Sequence, residues 1–425
     1  MIITQLIYIF LLLLYYIQSK NLRSNVNHVT DTKDKLLFVW EHFRHGARGP
    51  YIGINSKTNL DSLGEKWDGT GEITPLGMRM HYLLGAATRK KYGNFLSNIY
   101  NPNEIFIIST KVNRTIVSIN SFLQGLYNNS TSIDLTEKQL SRINILNSNY
   151  SEKINLKIKE LQKKSIQNGI NVVPVHTFGK NKLEFGLYDI KTCPGVEKYK
   201  IQNQKSEKVI KLYDELKKYT NDTFGEYIFK YMNITDPQYL WNKTNLYYLS
   251  DVFTSDYFDG RKMEQLNKTG IDMDLFYNNT FNVTYIDTYF YEFGVPSTET
   301  VYITVSPILR NMLGYIEQRI YLDKLDKGNE IRSDAPKFVI LSGHDTSLAP
   351  IDIFMQSEFG IDFTMATYAT NQIFELWKNG TSGNFYIKYL VNLEEKGIYD
   401  FDSFKTKVES KIYNQEQIQN ICYKK

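Results

Sequence analysis

The chain is poor in cysteine. Its 425 residues include two, Cys193 and Cys422, too few for a dense disulfide framework or for a zinc site built on four cysteines. Glycine (25) and proline (10) are also sparse, which excludes a collagen-like repeat or a long Pro/Gly linker. No sign of charge dominates: 50 basic against 46 acidic side chains leave a net +4 without a long basic block. Nothing in that balance calls for nucleic acid as a partner. Beyond one N-terminal run, no stretch approaches ~18 uninterrupted apolar residues, so no membrane span is expected in a mature chain. Histidine is scarce, at six copies.

What is present is ordinary globular composition, 42% hydrophobic and 23% charged. That allows a sizeable core and, at ~150 residues per domain, two or three domains. Residues 2–17 (IITQLIYIFLLLLYYI) are almost wholly apolar and are followed at once by Gln18, Ser19 and Lys20. The run is short for a span and suits a signal-peptide core over residues 1–20, although no basic residue precedes it; the alternative is an uncleaved anchor. Eleven N-x-S/T triplets accord with export: Asn113, Asn128, Asn129, Asn149, Asn221, Asn233, Asn242, Asn267, Asn278, Asn282 and Asn379. A secreted or lysosomal/vacuolar lumenal protein is therefore expected.

Leu36 to Phe43 is an apolar run of strand length, interrupted by Glu41 and His42 and ending in Arg44-His45-Gly46-Ala47-Arg48-Gly49-Pro50. The two polar residues fit either a pair near a site or a partly exposed strand. Residues 72–92 read as a helix opened near Thr74-Pro75, with Met78, Leu83, Leu84 and Ala87 on one side. Ile105 to Ile108 reads as a second strand. A helix then carries Arg114 in its first turn and Ile116, Ile119, Leu123 and Leu126 as its apolar positions. Lys337 to Leu341 reads as a third strand, ending in Ser342-Gly343-His344-Asp345, and residues 373–377 and 385–391 as a hairpin. Residues 154–166 and 209–229 have helical spacing. The expected organisation is a discontinuous α/β domain, 33–135 and 300–425, around a mainly helical insertion, 136–299. Its sheet should be mixed, mostly parallel, with helices on both faces.

Three separated segments place unusual residues just past strand ends: Arg44, His45 and Arg48; Arg114; His344 and Asp345. In open α/β sheets ligands bind there. Converging arginines suit an anion, because guanidinium groups grip phosphate oxygens in a fork and stay charged. A histidine can attack phosphorus, and an aspartic acid can protonate the leaving alkoxide. Three arginines already supply the positive charge, so neither metal nor cofactor is required. His42 and His45, three apart on a strand, face opposite sides and are not expected to share a metal.

These residues carry a resemblance. Arg44-His45-Gly46-Ala47-Arg48-Gly49-Pro50 resembles the signature of the histidine acid phosphatases, the acid-phosphatase and phytase branch of the phosphoglycerate-mutase-like superfamily. Gly71 to Gly77, Ser109 to Thr115, Val173 to Thr177, Cys193-Pro194 and Ser342 to Thr346 resemble later landmarks, in the family's order. The resemblance implies a phosphoglycerate-mutase-like fold and hydrolysis of small-molecule phosphate monoesters. It implies His45 as the phosphorylated nucleophile, Arg44, Arg48, Arg114 and His344 as phosphate ligands, and Asp345 as proton donor. It implies a Cys193–Cys422 disulfide, and relatives are often homodimers. His344-Asp345 favours the acid-phosphatase type over the inositol-phosphate type, whereas Ala47 leaves substrate preference open.

The remaining residues have blander readings. His28 and His81 are expected to have no role, His176 to make a structural hydrogen bond, and Asn113 to go unglycosylated beside Arg114. Glu375 lies near the site in the resemblance or is a satisfied strand carboxylate. Arginines disfavouring a proton on His45, and an Asp345 that must be protonated, together give an expected optimum around pH 5. The rival readings are a phosphoglycerate-mutase-like phosphotransferase and an exported non-catalytic phospholigand binder.

Overall fold

The computed structural model describes residues 34–50, 71–127, 134–140, 156–157, 159–165, 172–177, 193–231, 243–259, 299–325 and 335–423. The expected signal segment, His28 and the triplets at Asn128, Asn129, Asn149, Asn233, Asn242, Asn267, Asn278 and Asn282 lie outside them. Among the described residues no helix is long and apolar enough to cross a membrane.

The strands are β1 (Lys35–Arg44), β2 (Ile105–Ser109), β3 (His176–Thr177), β4 (Phe338–Gly343), β5 (Asn371–Lys378), β6 (Phe385–Val391) and β7 (Glu394–Asp400). They form one sheet in the order β3-β2-β4-β1-β5-β6-β7. The sheet is mixed, as expected, but its pairings divide evenly. β3–β2, β2–β4 and β4–β1 are parallel, whereas β1–β5, β5–β6 and β6–β7 are antiparallel. The antiparallel share is larger than the pattern implies because β7 extends the hairpin. Its Glu394-Glu395-Lys396-Gly397 start shows no apolar alternation, and charge is what a sheet edge tolerates. β3 joins the opposite edge from within the range expected for the insertion.

Helices α1 (Pro75–Tyr92) and α2 (Asn113–Leu126) cover one face. Farther along lie α3 (Pro194–Gln204), α4 (Glu207–Tyr231), α5 (Lys243–Asp259), α6 (Glu299–Leu325), α7 (Asp345–Phe359), α8 (Phe401–Glu409) and α9 (Gln415–Tyr423). Strand β1 is central and buried on both faces. Val39 and Phe43 join the layer with Ile119, Phe122 and Leu123 of α2. Phe38 and Trp40 join the opposite layer with Leu309 and Met312 of α6 and Phe354 of α7. Each such fully buried large side chain contributes about 1.5–3 kcal/mol.

Helix α1 opens where its sequence indicates, with Thr74 as N-cap and Pro75 in the first turn. Its buried face differs from expectation. Met78 and Leu83 are exposed, and Gly77, His81, Gly85, Thr88 and Tyr92 point inward. Close helix contact explains this. A Cβ on Gly85 would lie 2.0 Å from the Phe122 carbonyl oxygen, and one on Gly125 the same distance from that of Tyr82. Two helices this close exclude large side chains between them.

Cys193, the N-cap of α3, is bonded to Cys422 of α9, with Cα atoms 4.6 Å apart across 229 positions. The pairing implied by the resemblance is thus present. Closing a loop this long restricts the unfolded chain by about 5 kcal/mol at most. Cys422→Ser is expected to lower stability by several kcal/mol within that bound, read as a fall in thermal midpoint. A wild-type midpoint unmoved by reductant would contradict this.

Candidate active site

Three adjacent strands create the site by ending level. Ser109 of β2 pairs with Ser342 of β4, and Gly343 of β4 pairs with Arg44 of β1. The strands are parallel, so all three chains leave the sheet at one edge. There His45 donates its N–H to the Gly343 carbonyl (3.0 Å), and Thr110 donates to Ser342 (3.1 Å). Arg44, His45 and Arg48 from one segment, Arg114 from the second, and His344 and Asp345 from the third meet there. Every residue singled out for the anion site is present.

His45 is almost fully buried. Its Nδ1 lies 2.9 Å from the Gly46 carbonyl oxygen. A carbonyl only accepts, so we assign the hydrogen to Nδ1 and the lone pair to Nε2. Burial holds the imidazole pKa well below its ordinary 6.5, and the charges of Arg44, His344, Arg48 and Arg114 lower it further. The ring stands edge-on to His344, with centroids 5.5 Å apart, and 5.8 Å from Tyr368. Gly46 is required by its surroundings. A Cβ there would lie 2.3 Å from the Gly77 carbonyl oxygen, at the start of α1. The Gly46 N–H donates to Ser118 Oγ of α2 at 3.0 Å.

Arg44 is buried and held on several sides. Nη1 donates to the Ala366 carbonyl (2.8 Å), Nη2 meets Asp345 Oδ2 (2.6 Å), and the guanidinium lies 4.6 Å above the Tyr368 ring. Its main-chain carbonyl accepts a hydrogen bond from His81 Nε2 at 3.1 Å. His81, expected to have no role, is therefore a buried brace packed on Phe43. The following loop is bent sharply: Ala369 adopts φ +59° and donates its N–H to the His45 carbonyl at 3.2 Å.

Arg114 Nη2 donates to His344 Nδ1 (3.4 Å), which leaves Nε2–H of His344 to donate to Thr110 Oγ1 (3.1 Å). Burial, Arg114 and the other arginines bring the His344 pKa down to about 3 against the opposing pull of Asp345. Asp345, the first residue of α7, also accepts the Thr346 N–H at 2.8 Å. Burial pushes its carboxyl up, but Arg44, His344, Arg48 and that N–H outweigh burial and hold it below the usual carboxylate value.

Arg48 faces a partner that its sequence neighbourhood does not reveal. Nη1 and Nη2 form a two-pronged pair with Asp251 of α5, at 3.1 and 2.8 Å. Nη1 also donates to the Gly49 carbonyl. Asp251 lies 203 positions away in a Lys/Asn/Tyr-rich segment, so no local pattern marks it. Among the described residues the three guanidinium groups meet two carboxylates, leaving one net positive charge beside imidazoles that burial holds neutral.

Several other readings resolve here. Glu41 and His42 are both fully buried and are not a pair. Glu41 accepts from Asn371 (2.7 Å), and burial raises its pKa to about 7; His42 contacts Ser347 of α7. Glu375 is a satisfied strand carboxylate, accepting from Tyr92 and Trp377. It pairs with Val39, five residues below Arg44 and roughly 17 Å from the site at strand rise. His176 is exposed and rests on Phe106 with centroids 5.1 Å apart, a ring contact in place of the expected hydrogen bond. The Asn113 amide donates to Glu72 at 3.1 Å.

Residues 31–392 match the model of the family described as histidine phosphatase superfamily (branch 2). Over 94 residues the chain is 39% identical to a lysosomal acid phosphatase of Xenopus laevis, covering 22% of this chain and 21% of the relative. Over 94 residues it is 40% identical to a prostatic acid phosphatase of Rattus norvegicus, covering 22% and 24%. The matches span about a quarter of the length of these relatives. The fold is similar to a phytase from Citrobacter braakii (TM-score 0.57, 14% identity, covering 89% of this chain and 98% of the phytase). It is also similar to a phytase from Klebsiella sp ASR1 (TM-score 0.57, 12% identity, covering 89% and 96%).

Asp251 engages Arg48 with the two-pronged geometry that guanidinium groups also offer to phosphate, so a phosphate ligand on Arg48 would compete with this carboxylate. Asp251→Asn is expected to tighten inorganic phosphate binding roughly fivefold, equivalent to ~1 kcal/mol. Titration calorimetry measures this. Weaker binding would mean that Asp251 aligns Arg48 for the anion.

Proposed function

This chain belongs to the histidine phosphatase superfamily (branch 2), and from that premise we propose that it hydrolyses small phosphate monoesters through a phosphohistidine on His45. The observation that carries the proposal is the orientation of His45. Its Nδ1–H is spent on the Gly46 carbonyl, and its Nε2 lone pair is left for attack among three guanidinium groups.

In this reading Arg44, Arg48 and Arg114 hold the phosphoryl oxygens and balance charge as it redistributes, and His344 joins them by turning its Nε2–H from Thr110 Oγ1 to the anion. His45 Nε2 attacks phosphorus in line, and the ester P–O bond breaks. Asp345 gives its proton to the departing alkoxide. Water then cleaves the N–P bond, with the Asp345 carboxylate as base, and His45 and inorganic phosphate are released. The guanidinium groups provide the cationic stabilisation, so the reaction proceeds without metal. The relatives named acid phosphatases support hydrolysis over transfer between phosphoglycerates. Residues 33–135 and 300–425 carry the chemistry, and the inserted range 136–299 contributes Asp251 to the site. Placement in a secretory or lysosomal lumen fits the apolar N-terminal run.

The charge states favour acid. His45 must be neutral, and its lowered pKa keeps it so well below pH 6.5. Asp345 must be protonated. In the empty site Arg44 opposes that, whereas a bound phosphate dianion takes up the guanidinium charge and favours the carboxyl proton. Protonation of Asp345 is lost as pH rises, so activity falls toward neutrality.

The first test is hydrolysis of p-nitrophenyl phosphate near pH 5 with EDTA present. Wild type is expected to turn over, and His45→Ala to lose at least ~10³-fold, the scale for removing a covalent nucleophile. Tight phosphate binding without turnover in folded wild type would instead identify a binder. Activity surviving in His45→Ala would relocate the nucleophile. The pH–rate profile is expected to peak at about pH 5; a profile flat from about pH 4 to 8 would refute the two-group account.

A further inference from the structure

Beneath the first turn of α7 lies a buried polar layer that the chemistry above does not use. His42, one face of β1 and two residues before Arg44, is fully buried. Its Nε2 is 3.0 Å from Ser347 Oγ. The same hydroxyl accepts the His344 N–H (3.0 Å) and lies 2.8 Å from the His344 carbonyl oxygen. A hydroxyl has one hydrogen, and the carbonyl can only accept. If that hydrogen goes to the carbonyl, His42 must donate from Nε2. His42 Nδ1 is buried without a hydrogen-bond partner among the described residues. A bare lone pair there costs less than an orphaned N–H, which native interiors almost never contain. Both considerations select the Nε2–H tautomer.

Gln372, opposite His42 in the β1–β5 register, donates its amide to the Leu348 carbonyl at 3.1 Å. Two polar strand residues side by side therefore hold the opening turn of α7. That turn begins with Asp345, whose carboxylate is shared between Arg44 and the Thr346 N–H.

We propose that His42 is a positioning residue for Asp345, acting through Ser347 to fix the main chain from which the proton donor projects. The inference rests on Asp345 being the proton donor. Burial, with the charge of His344 adding to it, lowers the His42 pKa to about 3, so the ring stays neutral above that pH. A small rotation at His344 would carry the Asp345 carboxyl away from the leaving oxygen. Misplacements on the scale of 1 Å can cost ~10²-fold in rate.

The test compares kcat/KM on two leaving groups, which report the need for a proton differently. p-Nitrophenolate departs with little help, and the alkoxide of β-glycerophosphate needs protonation. His42→Val removes the donor but retains a strand former, and His42→Gln retains an N–H near the position of Nε2. His42→Val is expected to lose about 10- to 100-fold on β-glycerophosphate and less than ~3-fold on p-nitrophenyl phosphate. Inhibition by inorganic phosphate should change less than ~2-fold, and His42→Gln should recover most of the loss. Ser347→Ala is expected to show the same selectivity, and serves if His42→Val does not fold. Equal losses on both substrates, or a tenfold shift in phosphate inhibition, would overturn the proposal. Asp345→Asn is the reference. If it is selective while His42→Val is not, this inference alone fails. If it affects both substrates alike, the proton-donor assignment fails and takes this inference with it.

Discussion

Residues 105–109, 338–343 and 35–44 run side by side in one direction, and their level ends hold the site together. Parallel pairing delivers each strand's C-terminal end to the same sheet edge, where the chain must turn away and can present side chains. Arg44 and His45 leave β1, Thr110 and Arg114 follow β2, and His344 and Asp345 follow β4. A slip of one residue between β1 and β4 would turn Arg44 to the other face and separate it from Asp345. Helix packing protects that register. Gly46 meets Gly77 at the start of α1, and α1 and α2 pack at glycine-mediated distance over Phe43 and Phe122.

Electrostatics set the second condition. Three guanidinium groups at one edge repel each other and disfavour any further proton. Two carboxylates offset them, Asp345 on Arg44 and Asp251 on Arg48. The histidines remain neutral because burial and positive neighbours act in the same direction. Among the described residues the empty site is left one unit positive, and a doubly charged anion would bring it to neutrality only together with a proton on Asp345. Asp251 also joins a distant helix to the sheet edge that carries Arg48, as Cys193–Cys422 joins α3 to the C-terminal helix.

The polar residues inside β1 show how a strand can serve two faces. Glu41 points toward α1 and is held by Asn371, and its raised pKa of about 7 comes from burial. His42 points toward α7. An interior strand with alternating directions can brace elements on both sides, and the cost of burying such groups is offset only where they find partners. Both residues sit within three positions of Arg44, where small displacements of the chain reach the site.

Much of this molecule was legible in its sequence because local patterns recorded it. The runs at 36–43, 105–108, 337–341 and 385–391 carry strand signals, Thr74-Pro75 marks a helix start, and clustered Arg and His beyond strand ends point to an anion site. The inward face of α1 was misleading because tight packing selected glycine and small polar residues over the leucines that helical spacing would favour. β7 was hidden because an edge strand answers to solvent as much as to the core. Asp251, His81 and the roles of Glu41 and His42 were decided only by tertiary structure. A carboxylate 203 positions from its guanidinium, or a histidine whose partner is another segment's carbonyl, leaves no periodicity in the chain. The sequence determined which chemical groups were available and where strands would end; folding alone determined which of them met, because distance, burial and charge arise between segments that are remote along the chain.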